Sequence, residues 1–201
     1  MAKIPTEFEN PLDNLIRRVV ESVNPVLHSV GVTPNMVTLA GGVAGFMANR
    51  NLWNENYTAA LALFWLRYLA DTADGNMART YHQQSVFGDF LDHATDALTN
   101  IPFVALLAWK LPPGLRLPFL ILIGILCCGV AAHLDCQERY YNRPQDSPFL
   151  VSVAGSMCPC DGFGATSSDL GRTLRTTRWL GVGSLMLFIS AVLGFLQATK
   201  K

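Results

Sequence analysis

The sequence predicts an all-α fold: a polytopic membrane helical bundle with five or six spans and an N-terminal amphipathic interfacial helix. Three observations predict it. Half of the 201 residues are hydrophobic and only 15% are charged, where a soluble domain carries roughly a quarter. Residues 117–134 and 179–198 hold no formally charged side chain, and runs of roughly 18 to 20 residues cross a hydrocarbon core. Two further apolar segments carry charge only near one end, apart from Arg67. The formal net charge is zero, so no basic excess points to nucleic acid as a partner.

The elements follow in chain order. Asn10-Pro11 has the form of an N-cap followed by a proline at the first helical position. Leu12, Leu15, Ile16, Val19, Val20 and Val23 then recur at helical spacing, opposite Asp13, Asn14, Arg17, Arg18 and Glu21. That helix is short of spanning length and suits the headgroup layer; an ordinary helix packed on protein is the plainer alternative. Spans are expected at 34–53, 57–79, 85–109, 115–135 and 179–198. Residues 136–178 are poorly patterned, and their apolar segment 149–160 is too short to cross alone, so it is re-entrant or lengthens a broken helix. The first 30 residues lack the apolar core and cleavage site of a signal peptide, so none is expected.

Cysteine usage gives no disulfide framework: there are five, Cys127, Cys128, Cys136, Cys158 and Cys160, and two lie inside an apolar run. Cys158-Pro159-Cys160-Asp161 has the look of a metal hook, but no second ligand pair at zinc spacing accompanies it. With five spans and a cytosolic N-terminus, nine basic residues fall inside: Lys3, Arg17, Arg18, Arg79, Arg139, Arg143, Arg172, Arg175 and Arg178. Five fall outside, Arg50, Lys110, Arg116, Lys200 and Lys201, so the bias favours that orientation.

Residues 71–96, DTADGNMARTYHQQSVFGDFLDHATD, hold five aspartates between two apolar segments. On a helix Asp71, Asp74 and Ala78 share a face, and Gly88, Asp92 and Asp96 share one on the next. A hairpin of the two spans can therefore aim four carboxylates at one point. Unpaired near a bilayer they would cost several kcal/mol each. Magnesium or manganese relieves this, since hard cations prefer carboxylate oxygens and two can share bridging carboxylates, an arrangement suited to phosphoryl chemistry. Gly75, Ala78 and Gly88 keep the faces open for a ligand, and Arg79 offers a fork for a phosphate. Asp89 falls off the shared face and reads as a solvated or capping acid. Ion pairs of Arg67 with Asp71 and Arg79 with Asp74 are the plainer account, but leave Asp92 and Asp96 unexplained.

Asp71-x2-Asp74-Gly75-x2-Ala78-Arg79-x8-Gly88-x3-Asp92-x3-Asp96 resembles, position for position, the signature of the CDP-alcohol phosphotransferase (CDP-alcohol phosphatidyltransferase) family. Residues 33–38, TPNMVT, resemble the family's opening of its first span. The resemblance runs from about residue 31 to 110 and divides the chain into a juxtamembrane segment, 1–30, and a membrane domain, 31–201. It implies a multi-pass, dimeric membrane enzyme of phospholipid synthesis, with its active site facing the cytosol and membrane lipids around it. A CDP-alcohol is the implied donor, a second alcohol the acceptor, and CMP the leaving group. By that resemblance Asp71, Asp74, Asp92 and Asp96 surround two divalent cations, Mg2+ or Mn2+, and Asp96 is also the catalytic base. Gly75, Ala78, Arg79 and Gly88 line the CDP pocket, with Asn35 and Thr38 near the nucleotide. In place of the family's fifth and sixth spans stand one apolar run and a Gly/Ser/Cys-rich stretch, which puts the dimer and the acceptor pocket in question.

Within the family two branches are open. A compact chain favours CDP-diacylglycerol with a small acceptor alcohol; His93 beside Asp92 resembles the choline and ethanolamine branch, in which diacylglycerol accepts. From other classes, a divalent-cation transporter or a non-catalytic scaffold would leave the glycines and Arg79, or the intact aspartate set, without a purpose. Arg67 lies on the metal-facing stripe and is expected to pair with Asp71 or to snorkel, with an anion contact as the alternative. His133, Asp135, Gln137, Glu138 and Arg139 end the fourth span and suit either an acceptor grip or a solvated helix end. Gly41 and Gly45 with Ala44 and Ala48 give small-xxx-small spacing, for packing within the chain or for a dimer seam.

Overall fold

A computed structural model describes residues 5–140, 158–159 and 167–200, with the side chains of 138, 139 and 167–169 outside the description. The helices are α1 (Pro11–Ser29), α2 (Pro34–Trp53), α3 (Tyr57–Thr80), α4 (Val86–Lys110), α5 (Pro113–Tyr140), α6 (Ser167–Thr177) and α7 (Val182–Thr199), with a 3-10 turn, Arg178–Leu180, before the last. There is no strand among the described residues. The all-α expectation holds, and α2 to α5 and α7 fall on the five expected spans. The expected segment 149–160 lies almost wholly outside the described residues.

Local chemistry sets the helix ends. Asn10 caps α1 by accepting the Leu12 N–H at 2.9 Å, as its place before Pro11 predicts. Thr33 caps α2 with Pro34 behind it, and Ser85 caps α4 by accepting the Gly88 N–H at 3.0 Å. The first three helices end alike. Val32 donates to the Leu27 carbonyl, Asn56 to Asn51 and Gln83 to Ala78, the six-to-one bond of a Schellman turn. The left-handed residue in each is Gly31 (φ 82°), Glu55 (φ 60°) or His82 (φ 56°). At the first of these turns α1 and α2 bend by 118°.

Two described stretches, Pro113–Gln137 and Leu170–Thr199, are each long and apolar enough to cross a membrane; α1 and α2 add a third only when taken together across their bend. Helices α3 and α4 are long enough, at 24 and 25 residues, but Arg67, Asp71, Asp74 and Arg79 dilute one and Asp89, Asp92 and Asp96 the other. Those charges are thus what hides these two helices from a hydropathy count.

The described chain forms two compact units, one from Leu15–Phe119 and Phe188–Lys201, the other from Ala2–Asn14 and Leu120–Leu187. In the first, α2 packs closely on α3 and α4. A Cβ on Gly41 would lie 2.9 Å from Ala70, one on Gly42 2.8 Å from Thr95, and one on Gly45 2.7 Å from Thr99. The small stripe therefore serves packing within the chain, and with its glycines buried it offers no dimer seam. The stripe of α1 splits: Ile16, Val20 and Asn24 are buried, while Leu15, Val19, Val23 and Val26 stay exposed. Asn24 fastens α1 to α3, donating to the Ala73 carbonyl at 3.1 Å and Asn76 Oδ1 at 3.0 Å. At the far end of the unit Lys110 donates to Glu55 at 2.9 Å and holds that carboxyl below its usual range.

The second unit centres on Phe8, Cys136, Cys158 and Leu174, with Tyr140 and Leu170 against them. Cys136 and Cys158 form a disulfide with Cα atoms 5.0 Å apart, which corrects the expectation of no disulfide. The odd count and apolar setting of the cysteines concealed that the end of α5 and residue 158 converge. The disulfide also removes Cys158 from any metal hook; Cys160 and Asp161 lie outside the described residues. His133 and Gln137 are buried and paired, with His133 Nδ1 2.9 Å from Thr177 Oγ1 and its Nε2 2.8 Å from Gln137 Nε2. Asp135 accepts the Cys158 N–H at 2.8 Å. His133 and Gln137 thus build the unit's interior, and the half-buried Asp135 ties residue 158 to the helix, in place of a solvated helix end.

Candidate active site

The site sits where α3 ends and α4 begins, in the first unit. Asp71 on α3 and Asp92 and Asp96 on α4 each offer a carboxylate oxygen, and these oxygens all lie within 4.8 Å of one another. All three side chains are half-buried. The spacing of four on α4, with Asp71 facing it from the antiparallel α3, brings this about; of the four carboxylates expected at one point, three converge. Three half-buried carboxylates so close repel unless a cation lies among them, and an all-oxygen donor set fits a hard divalent cation such as Mg2+ or Mn2+.

Asp74 stands beside the trio rather than in it. It is 4% exposed and lines the same small recess, together with Thr38, Gly41, Gly42, Arg67, Asp71, Asp92 and Thr95. Thr38 Oγ1 lies 2.6 Å from Asp74 Oδ2 and 3.1 Å from the Pro34 carbonyl. Its one proton goes to the nearer carboxylate. The other oxygen, Asp74 Oδ1, accepts the Gly75 N–H at 2.6 Å. Both oxygens are thus oriented by the chain.

Of the expected pocket residues, Thr38 reaches the carboxylates directly. Gly88 and Asn35 meet each other, since a Cβ on Gly88 would stand 2.9 Å from Asn35 Oδ1; glycine lets the first turns of α4 and α2 touch. Arg79 folds back over Gly75, its Nη1 3.2 Å from where a Cβ would sit. Ala78 is half-buried on α3, a turn beyond Asp74. His93 Nδ1 lies 2.7 Å from the Asp89 carbonyl and 3.6 Å from its carboxylate, so Asp89 partners its own helix.

Arg67 is the residue whose place most exceeds expectation. It is 6% exposed and ion-paired to Asp96 through Nη2 and to Asp71 through Nη1, the latter at 3.8 Å. The Asp71 pairing was expected; the Asp96 contact across to α4 was not. Thr95, Thr99 and Gly42 also escaped the sequence reading. Thr95 and Thr99 sit one turn apart on the helix that carries Asp92 and Asp96, and polar residues at that spacing inside an apolar span were the available signal.

A helical bundle with a carboxylate cluster at the end of two apolar helices defines a class of membrane protein able to hold a metal ion among those carboxylates. Residues 31–139 match the CDP-alcohol phosphatidyltransferase family, more than half of the chain, and the protein belongs to that family. It is 34% identical over 112 residues to an uncharacterised protein of Aquifex aeolicus (strain VF5), covering 52% of this chain and 57% of that one. It is 29% identical over 85 residues to an archaetidylinositol phosphate synthase of Pyrococcus horikoshii, covering 42% of this chain and 45% of the relative. The chain spans about half the length of these relatives. The crystal structure of Mycobacterium tuberculosis phosphatidylinositol phosphate synthase (PgsA1) with CDP-DAG bound is similar at a TM-score of 0.43 and 18% identity, over 90% of this chain and 94% of that one.

Proposed function

We propose that the protein is an integral membrane CDP-alcohol phosphotransferase of phospholipid synthesis, moving a substituted phosphate group from a CDP-linked lipid to a small polar alcohol with release of CMP. The observation that carries this reading is the convergence of Asp71, Asp92 and Asp96 within 4.8 Å, with Asp74 in the same recess, inside the stretch that matches the family. The archaetidylinositol phosphate synthase relative supports a lipid donor and a phosphorylated polyol acceptor. CDP-diacylglycerol with inositol phosphate or glycerol phosphate is the pair to test first. His93, the residue that favoured choline or ethanolamine chemistry, has a partner in its own helix. In this reading the membrane domain is 31–201, residues 1–30 lie along the headgroups, the site faces the cytosol, and the chain works as a homodimer.

Divalent cations held by the four aspartates would neutralise the donor pyrophosphate and the charge that grows on CMP. The chain's own residues do the rest. Gly75, Ala78 and Gly88 leave room for the CDP moiety, Asn35 and Thr38 border it, and Arg79 offers its guanidinium to a phosphate. Asp96 takes the proton of the acceptor hydroxyl. The freed oxygen bonds to the phosphorus that bears the donor alcohol, and the bond from that phosphorus to CMP breaks.

The test is CMP release by purified protein in detergent with Mn2+ or Mg2+. CDP-diacylglycerol and CDP-choline are each offered to a panel of acceptors, beside Asp96→Asn. Acceptor-dependent release from CDP-diacylglycerol, lost in the variant, is the expected result. Release only from CDP-choline with diacylglycerol would move the protein to the other branch. No release from any pair would sink the enzymatic reading.

A further inference from the structure

This inference rests on the reading above, in which the aspartates hold a divalent cation and Asp96 is the base. An arginine among such ligands has three conceivable duties: gripping donor phosphate, standing in as a loose counterion, or acting as a fixed support. The surroundings of Arg67 decide between them. Its Nε donates to Thr99 Oγ1 at 2.8 Å. That hydroxyl passes its own proton to the Thr95 carbonyl at 2.8 Å, and the Thr99 carbonyl accepts from Asn49 at 2.9 Å. The Arg67 stem runs where Gly45 has no side chain, since a Cβ there would lie 3.2 Å from Arg67 Cδ.

A loose counterion needs room to withdraw when a cation arrives. Arg67 is 6% exposed, and its base is bonded to a neighbouring helix. A donor contact needs an uncommitted edge, yet Nε faces Thr99, Nη2 faces Asp96 and Nη1 faces Asp71 at 3.8 Å. What remains is support: the guanidinium spans α3 and α4 and holds one oxygen of Asp96, leaving the other for cation and acceptor. We propose that Arg67 is a positioning residue that fixes the Asp96 carboxylate, with Thr99 as its anchor and Gly45 as the gap that admits it.

The test compares Arg67→Gln, Arg67→Lys and Thr99→Val with the unaltered protein. Mn2+ affinity is read by electron paramagnetic resonance, and kcat is separated from donor KM in the CMP-release assay. Partners that orient metal ligands are worth about 10- to 100-fold in affinity or activity, so Arg67→Gln is expected to lose roughly that in both Mn2+ affinity and kcat, at unchanged donor KM. Thr99→Val moves the same way by less. Arg67→Lys recovers part of the loss, because an ammonium can reach Asp96 but has no Nε for Thr99.

Tighter Mn2+ binding in Arg67→Gln would identify a loose counterion and overturn the proposal. A raised donor KM at constant kcat would make Arg67 a donor contact and overturn it equally. Should Arg67→Gln fail to fold, Thr99→Val and Arg67→Lys decide by the same signs. Should the unaltered protein release no CMP, the enzymatic reading falls while the Mn2+ titrations still judge Arg67.

Discussion

At the residue scale, neighbours orient several oxygens of the carboxylate site, both of Asp74 through Thr38 and Gly75 and one of Asp96 through Arg67. Thr38 is the plainest case. Its hydroxyl is the donor to Asp74 Oδ2 at 2.6 Å, and both residues are buried, so water cannot replace the lost donor. Thr38→Val keeps the shape and removes the hydrogen bond. Activity in the CMP-release assay is expected to fall by about 10- to 100-fold, while Thr38→Ser, which keeps the hydroxyl, stays near the unaltered rate. Equal losses in both variants would mean that the methyl group matters and the hydrogen bond does not. The four aspartates were legible because their spacing repeats the helical period. Arg67 was half legible: four residues before Asp71, its pairing on α3 could be read, whereas its reach to Asp96 and Thr99 depends on how closely α3 and α4 approach.

At the element scale, glycines on α2 let α3 and α4 each pack closely on that helix, and the roles of glycines separate by what a side chain would meet. A Cβ on Gly45 would press on Thr99 at 2.7 Å, against atoms that cannot swing aside. Gly45→Ala is expected to cost about 1–3 kcal/mol by overpacking and to reduce Mn2+ affinity by displacing Thr99 from Arg67. Gly124→Ala on α5 meets nothing within 4 Å; removing a mid-helix glycine there is neutral or stabilising by about 0.5–1 kcal/mol. Gly31→Ala also meets nothing within 4 Å, but its φ is 82°, so it costs roughly 1 kcal/mol of backbone strain alone. Thermal melts of the three variants in one detergent check the order, and Gly45→Ala melting no lower than Gly31→Ala would contradict it. The sequence showed that this stripe was small. It could not show which neighbour the stripe served, because close packing within a chain and across a dimer use the same spacing. The cap of α1 was readable from Asn10 since capping is local, whereas Thr33 and Ser85 went unread as the caps of α2 and α4. Ending α2 and α3 on Glu55 and His82, in place of glycine, was not readable either.

At the scale of the whole molecule, the hydrophobic runs carried the fold class and the charged clusters obscured its details. Two helices read as apolar spans on their own terms, while α3 and α4 were recognisable as spans because their charge gathers near one end of each, apart from Arg67. The second unit was the least legible part, since the disulfide joins residues 22 apart in sequence and local patterning carries no trace of such a contact. The same opposition between charge and burial predicts how the intact protein responds to cations. Asp71, Asp92 and Asp96 lie half-buried within 4.8 Å, with Arg67 offsetting only part of their charge, so the folded state carries a repulsion that a bound cation removes. A cation that binds the folded chain alone stabilises it by about 2.7 kcal/mol at a hundredfold excess over its Kd. Adding Mn2+ is therefore expected to raise Tm along a saturating curve, while NaCl of equal ionic strength does not. Asp92→Asn removes one of the repelling charges without touching the Arg67 contacts. It should melt higher than the unaltered protein when no divalent cation is present and gain less when Mn2+ is added, trading metal affinity for stability. A Tm indifferent to Mn2+, or an Asp92→Asn variant that melts lower without metal, would mean that the carboxylates are held by pairing within the chain and that repulsion is not what the cation relieves.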